Sequence, residues 1–93
     1  MEVIYKYTLS VTDEQTLTLP EGSKILSVLE QGNKIVLYAL VDVNKANTRS
    51  EEDYSIVIVG TGNFINSVKT YTFLGTVKLA DGALMFHVLY RAI

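Results

Sequence analysis

The sequence predicts an all-β fold: a small antiparallel β-sandwich or barrel of six to seven strands, rich in hairpins and formed as one domain over residues 1–93. Three observations carry that expectation. Apolar and polar residues alternate with a period of two along most of the chain, the spacing of a strand. Gly32-Asn33 joins two strong β-runs and Asp81-Gly82 joins two more, and both are residue pairs that tight hairpin turns require. No segment shows a helical repeat long enough to pack as a helix.

Taken in order, Val3, Tyr5, Tyr7 and Leu9 alternate with Glu2, Lys6, Thr8 and Ser10, which reads as a strand with one wet face. Thr12–Gln15 (TDEQ) matches a helix capping box. The TLTLP behind it alternates, so the expectation is one turn at most, then a strand over Thr16–Leu19 and a turn at Pro20, Glu21 and Gly22. SKILSVLEQ (23–31) and KIVLYALVD (34–42) form the first hairpin. The polar stretch 43–53 is expected as the one long loop, with Glu51, Glu52 and Asp53 solubilising it. YSIVIVGT (54–61) is a strand. GNFINSVK (62–69) is a connection whose Phe64 and Ile65 are expected to tuck back onto the core. Residues 70–80 and 83–91 form the second hairpin. Tyr5, Tyr7 and Tyr71 fall on inward parities.

The strands over 34–42, 54–61 and 83–90 are apolar on both parities. A half-solvated antiparallel sheet alternates cleanly, whereas strands covered on both faces do not. With no helix available as a cover, the expectation is a homo-oligomer. Its interface is expected to draw on Tyr38, Leu40, Val57, Val59, Met85 and Leu89.

Composition narrows the function classes. The absence of cysteine removes disulfides, thiolate nucleophiles and sulfur-ligated metals, and points to a cytoplasmic location. A net charge of −2 with scattered lysines and arginines offers no basic stripe, so no nucleic-acid polymer is expected as a partner. The run Ile35–Val41 is too short to span a bilayer, and MEVIYKYTLS lacks the layout of a signal peptide, so no membrane role is expected.

The candidate ligand-binding residues are Gly60, Thr61, Gly62, Asn63 and His87. VGTGNFI (59–65) places two glycines after a β-run, a setting in which backbone N–H groups sometimes converge on an anion. It lacks the third glycine and following helix of a dinucleotide fingerprint, and the Lys-Ser/Thr pair of a P-loop. The simpler reading is a strand terminus with a positive φ at Gly62. His87, the one histidine, has Met85 and Leu89 on its own parity, which favours a hydrogen-bonded structural or interface residue. No ligand set for a metal, no cofactor motif and no nucleophile–base pair can be read, so the expectation is a protein that is not an enzyme.

The blocks TDEQT, LPEG and KILSV, then VGTG, then GALMFHVL cover nearly the whole chain in order. In these the chain resembles a family of small phage- and prophage-encoded proteins classed as a domain of unknown function. That family's pattern commonly follows the GTG turn with His-Pro, where this chain has Asn63 and Phe64, a departure that weakens any catalytic role built on a histidine there. The resemblance implies no activity; it implies a bacteriophage protein made in the cytoplasm of an infected bacterial host. In that setting the expectation is a non-enzymatic accessory protein, a counter-defence oligomer that binds a small nucleotide signal or a host protein. A nucleotide would draw on Lys24, Lys34, Lys69 or Arg91 for charge. The alternative is a virion structural or assembly protein that docks its apolar second face onto another phage protein.

Overall fold

The most continuously apolar segments of the chain occupy interior positions in two sheets. The computed structural model describes residues 1–46 and 50–93. Its strands are β1 (Glu2–Leu9), β2 (Glu14–Pro20), β3 (Lys24–Gln31), β4 (Lys34–Asp42), β5 (Glu51–Gly60), β6 (Thr72–Leu79) and β7 (Leu84–Ala92), with a four-residue helix α1 (Val43–Ala46) after β4. One sheet has the order β1-β4-β3 and the other β2-β5-β7-β6. Every pairing is antiparallel.

The two sheets stack as a sandwich, because each presents one apolar parity to the other. Ile35, Leu37, Ala39 and Val41 of β4 are wholly buried. Ile56 and Ile58 of β5, Val77 and Leu79 of β6 and Val88 of β7 supply the opposite wall. Tyr54 and Tyr90 meet edge to face inside it, with ring centroids 6.4 Å apart. Leu19, Ile35, Leu37 and Ile56 are among the largest side chains to lose all contact with water. Truncating such residues to alanine typically costs about 2–5 kcal/mol.

One lateral edge of the sandwich is pulled shut. β3 has a bulge between Ile25 and Ser27, and β6 has one between Phe73 and Gly75. Bulges bend a strand and strengthen its twist, and these two lie on the strands that meet across the edge. Gly75 comes so close to β3 that a Cβ there would lie 2.9 Å from Val28 Cγ1. The hairpin tips meet as well: the Ala80 N–H donates to Asn33 Oδ1 at 2.8 Å. Asn33 and Gly32 both have φ of 60°, as a type I′ turn requires.

Several expectations are corrected. Thr12–Gln15 starts no helix, as expected, but the strand behind it begins at Glu14 rather than Thr16; the Gln15 amide bonds both Ser10 backbone groups, donating to the carbonyl at 2.6 Å and accepting from the N–H at 3.2 Å. The second hairpin turn is wider than Asp81-Gly82, spanning Ala80–Gly82 with all three residues at positive, left-handed φ. β5 begins at Glu51, so the three acids expected in a loop are strand residues. They are held there because the Asp53 carboxylate accepts from the Thr18 hydroxyl at 2.6 Å and Glu52 accepts from the Gly22 N–H at 2.9 Å. Residues 47–49, the middle of that expected loop, lie outside the described residues.

The tyrosines divide. Tyr7 packs against the core, whereas Tyr5 is 47% exposed because β1 is an edge strand. Tyr71 precedes β6 and lies over the outer face of the second sheet, where its hydroxyl bonds Ser55 Oγ at 2.7 Å. The Arg91 guanidinium sits 4.8 Å from its ring centroid.

Two outcomes follow from this packing. Gly75→Ala is expected to destabilise the fold by about 1–3 kcal/mol, measured by urea unfolding. Adding Val28→Ala should make the double variant more stable than the sum of the two single losses predicts, because the clash disappears with the valine. Burial pushes the Tyr54 phenol above its ordinary value of 10.0, helped by the Glu52 charge, its hydrogen bond and Tyr90. Tyr7 is raised by burial and then by Tyr5. A raised phenol favours the folded state fully below the unfolded pKa of 10.0 and loses that contribution as pH climbs through the folded value. Unfolding midpoints should therefore fall above pH 10.0, and less steeply in Tyr54→Phe.

Candidate functional site

The outer face of the β2-β5-β7-β6 sheet gathers the residues singled out around the GTG turn. β5 ends at Gly60, and the Asn63 N–H donates to the Gly60 carbonyl at 3.1 Å. With φ of 82° at Gly62 and no positive φ at Thr61, this is a type II turn. The Asn63 side chain folds back over Gly60, where a Cβ would meet Asn63 Nδ2 at 2.8 Å. The Thr61 N–H is also committed, donating to the Met85 carbonyl at 3.3 Å. The N–H groups of Thr61 and Asn63 thus serve the turn itself rather than converging on an anion.

His87 is fixed from both sides. Its Nε2 lies 2.7 Å from Thr61 Oγ1 and its Nδ1 lies 3.0 Å from Thr76 Oγ1. A neutral imidazole donates from one nitrogen and accepts at the other, and a hydroxyl suits either role. The ring therefore bridges the turn after β5 to β6, across β7. Both nitrogens are engaged, and the partners are hydroxyls; no carboxylate orients the ring as in a serine-protease-like triad. Among the described residues, no group of three or more His, Asp or Glu is placed to hold a metal ion.

Two recesses flank this bridge. One is lined by Gly60, Thr61, Asn63, Ala83, Leu84, Met85 and Phe86, with no charged side chain. The other is an open groove of about 230 Å³ in which Val57 and Val59 share the lining with Phe64, Ile65 and Val68, and Asp13 and Asn66 supply polarity. The segment between β5 and β6 thus crosses over its own sheet, anchored at its far end by the Tyr71–Ser55 and Arg91–Thr70 hydrogen bonds. Phe64, expected against the core, is instead fully exposed, and Ile65 is 42% exposed. The turn at Gly60–Asn63 directs the chain outward before it reaches either residue.

The six residues expected to share an oligomer interface do not share a face. Tyr38 and Leu40 lie on the outer side of β4, opposite the buried parity of Ile35–Val41. Val57, Val59, Met85 and Leu89 lie on the outer side of the other sheet, on the far side of the molecule. Val57 is already 6% exposed within the single chain. One two-sided apolar pattern therefore has two causes: a segment of the same chain lies over part of one face, whereas over the other no element of the described residues lies, its Val36 being buried by neighbours within the sheet. Periodicity had no means of distinguishing these. The groove's far wall was also missed, because Ile65, Asn66 and Val68 belong to no periodic run.

A family model described as "Domain of unknown function (DUF7352)" matches residues 1–93. The chain belongs to that family. No curated protein and no solved structure matches it. Within the described residues, no helix is long and apolar enough to cross a membrane.

Replacing His87 with alanine is expected to cost about 1–2 kcal/mol through two lost hydrogen bonds. Amide exchange at Thr61–Asn63 should rise more than at the core strands. A hydrogen-exchange map of the variant would show whether the imidazole holds the turn.

Proposed function

We propose that this protein is a non-enzymatic binding domain that docks a host protein through the Phe64 groove, as a phage accessory factor acting against host defence in the bacterial cytoplasm. The observation that carries the reading is Phe64, fully exposed beside an apolar groove lined by Val57, Val59, Ile65 and Val68. Protein-binding hot spots are aromatic anchors beside well-packed apolar recesses. Contiguous exposed apolar surface rimmed by polar residues, unlike a single exposed ring, marks an interaction site.

Of the two ligand classes considered from the sequence, the protein partner fits better than the nucleotide. Neither recess has a lysine or arginine in its lining. Arg91 is engaged by Tyr71 and Thr70, Lys24 and Lys34 belong to the other sheet, and Lys69, next to Val68 in the crossing segment, lies outside the lining of both recesses. The phage context rests on the resemblance of the TDEQT, LPEG, KILSV and GALMFHVL blocks.

The test is affinity capture from phage-sensitive bacteria, comparing the wild type with Phe64→Ser. The variant should keep its unfolding midpoint within about 0.5 kcal/mol, because the side chain is exposed. A stoichiometric host protein held by the wild type and lost by the variant supports the proposal. Native mass spectrometry that finds a retained nucleotide would return the reading to signal sequestration. Capture of a virion component would favour the structural or assembly role instead.

A further inference from the structure

Among the described residues, no element of the chain covers the outer face of the β1-β4-β3 sheet, and the charges of that face are arranged for a particular occupant. Along β4 the outward parity holds Lys34, Val36, Tyr38, Leu40 and Asp42, alternating with the wholly buried Ile35, Leu37, Ala39 and Val41; Val36 is already 3% exposed, hemmed in by its neighbours on the face, while Tyr38, Leu40 and Asp42 are half-buried and Lys34 is exposed. A cation stands at one end and an anion at the other, each four residues from Tyr38, with apolar side chains between. The neighbouring strands extend the apolar part: Ile4 is paired with Leu40 and is 57% exposed, and Leu29 is paired with Val36 and is 43% exposed. Leu26, the extra residue of the β3 bulge, is 39% exposed.

A surface that is basic at one end, apolar in the middle and acidic at the other is complementary to itself after a half-turn. We infer that this face is the dimer interface, occupied by a second copy of the chain whose β4 runs antiparallel across it about a two-fold axis near Tyr38. That operation brings Lys34 to Asp42 of the partner subunit and Asp42 to Lys34 of the partner subunit. It lays Tyr38 beside Tyr38 of the partner subunit and Leu40 over Val36 of the partner subunit. The contact is isologous, so every attraction is made twice.

The remaining charges of the face are Glu2, paired with Asp42 at the acidic end, and Lys6 and Lys24 on the edge strands β1 and β3. Lys6 is paired with Tyr38, so the axis brings it near Lys6 of the partner subunit; this is the one like-charge approach of the arrangement, and on an edge strand the long stem can turn its ammonium out to water. A parallel arrangement of the two β4 strands would set Lys34 against Lys34 and Asp42 against Asp42, and like charges opposed across an interface cost several kcal/mol. The β4 charges, two attractions in one register against two repulsions in the other, therefore favour the antiparallel register. A face three strands wide and eight residues long measures about 15 by 27 Å, at the small end of specific interfaces, so dissociation in the micromolar range is expected.

The inference deepens the oligomeric reading of the sequence but stands apart from the Phe64 groove, which lies on the opposite sheet. The experiment is sedimentation equilibrium across a concentration series on the wild type, Lys34→Glu, Asp42→Lys and the double variant Lys34→Glu/Asp42→Lys. Circular dichroism verifies that each is folded. The wild type should reach twice the 10.3 kDa chain mass. Each single reversal should weaken association by at least about tenfold, because it opposes like charges at two symmetric places. The double variant restores opposite signs in swapped positions and should regain most of the affinity. Phe64→Ser should leave association unchanged.

A wild type that stays monomeric throughout would overturn the inference. So would a dimer insensitive to the single reversals, a double variant no better than either single one, or a dimer lost on Phe64→Ser. Failure of the groove reading alone would appear as lost host-protein capture with the dimer intact.

Discussion

The approach of β3 to β6 is the constraint on which the rest of the structure depends. Two sheets of three and four strands can stack in many ways, and apolar burial alone does not choose among them. Here a bulge on each of the two strands bends them together, and Gly75 removes the one Cβ that would hold them apart from Val28. The bond from the Ala80 N–H to Asn33 Oδ1 then ties the hairpin tips at the same edge. With that edge closed, Ile35, Leu37 and Ala39 face Ile56, Ile58 and Val88, and the core has one arrangement.

Closing one edge also decides what the outer faces can do. On the four-stranded sheet, the chain leaves β5 through a type II turn and returns to β6 by crossing its own surface. His87 holds the start of that crossing, between Thr61 and Thr76. Tyr71, Ser55, Arg91 and Thr70 hold its end. Between those anchors the segment leaves Phe64 in solvent and a groove beneath it. The chemistry of the anchors is hydroxyl, imidazole and guanidinium satisfied by one another, which suits a rigid support better than a reacting centre. The three-stranded sheet receives no such cover among the described residues, and its outer surface keeps the charge order of β4 open to a partner.

The candidate site was partly legible in the sequence. Gly60, Thr61, Gly62 and Asn63 were recognisable because a turn after a β-run needs residues tolerant of positive φ, and Gly62 takes that conformation. His87 was recognisable as a lone polar ring on an apolar parity, and it is hydrogen-bonded through both nitrogens. Its partners were not legible: Thr61 is 26 residues away in the turn after β5, and Thr76 is 11 away on β6. The groove was not legible either, because its lining mixes Val57, Ile58 and Val59 of β5 with side chains from an aperiodic segment.

The sequence by itself determined the β class, the parities of β4, β5 and β7, and the two hairpins, because period-two alternation and turn residues are local properties. It also placed alternating Lys34, Val36, Tyr38, Leu40 and Asp42 along a single strand face. Only the tertiary structure decided that β5 pairs with β2 and extends back to Glu51, that Phe64 faces solvent, and that Tyr38 and Val57 lie on opposite sides of the molecule. Those outcomes depend on which strands become neighbours. Strand order is set by contacts between residues far apart in the chain, such as Val28 with Gly75 and Asn33 with Ala80, and no local pattern encodes them.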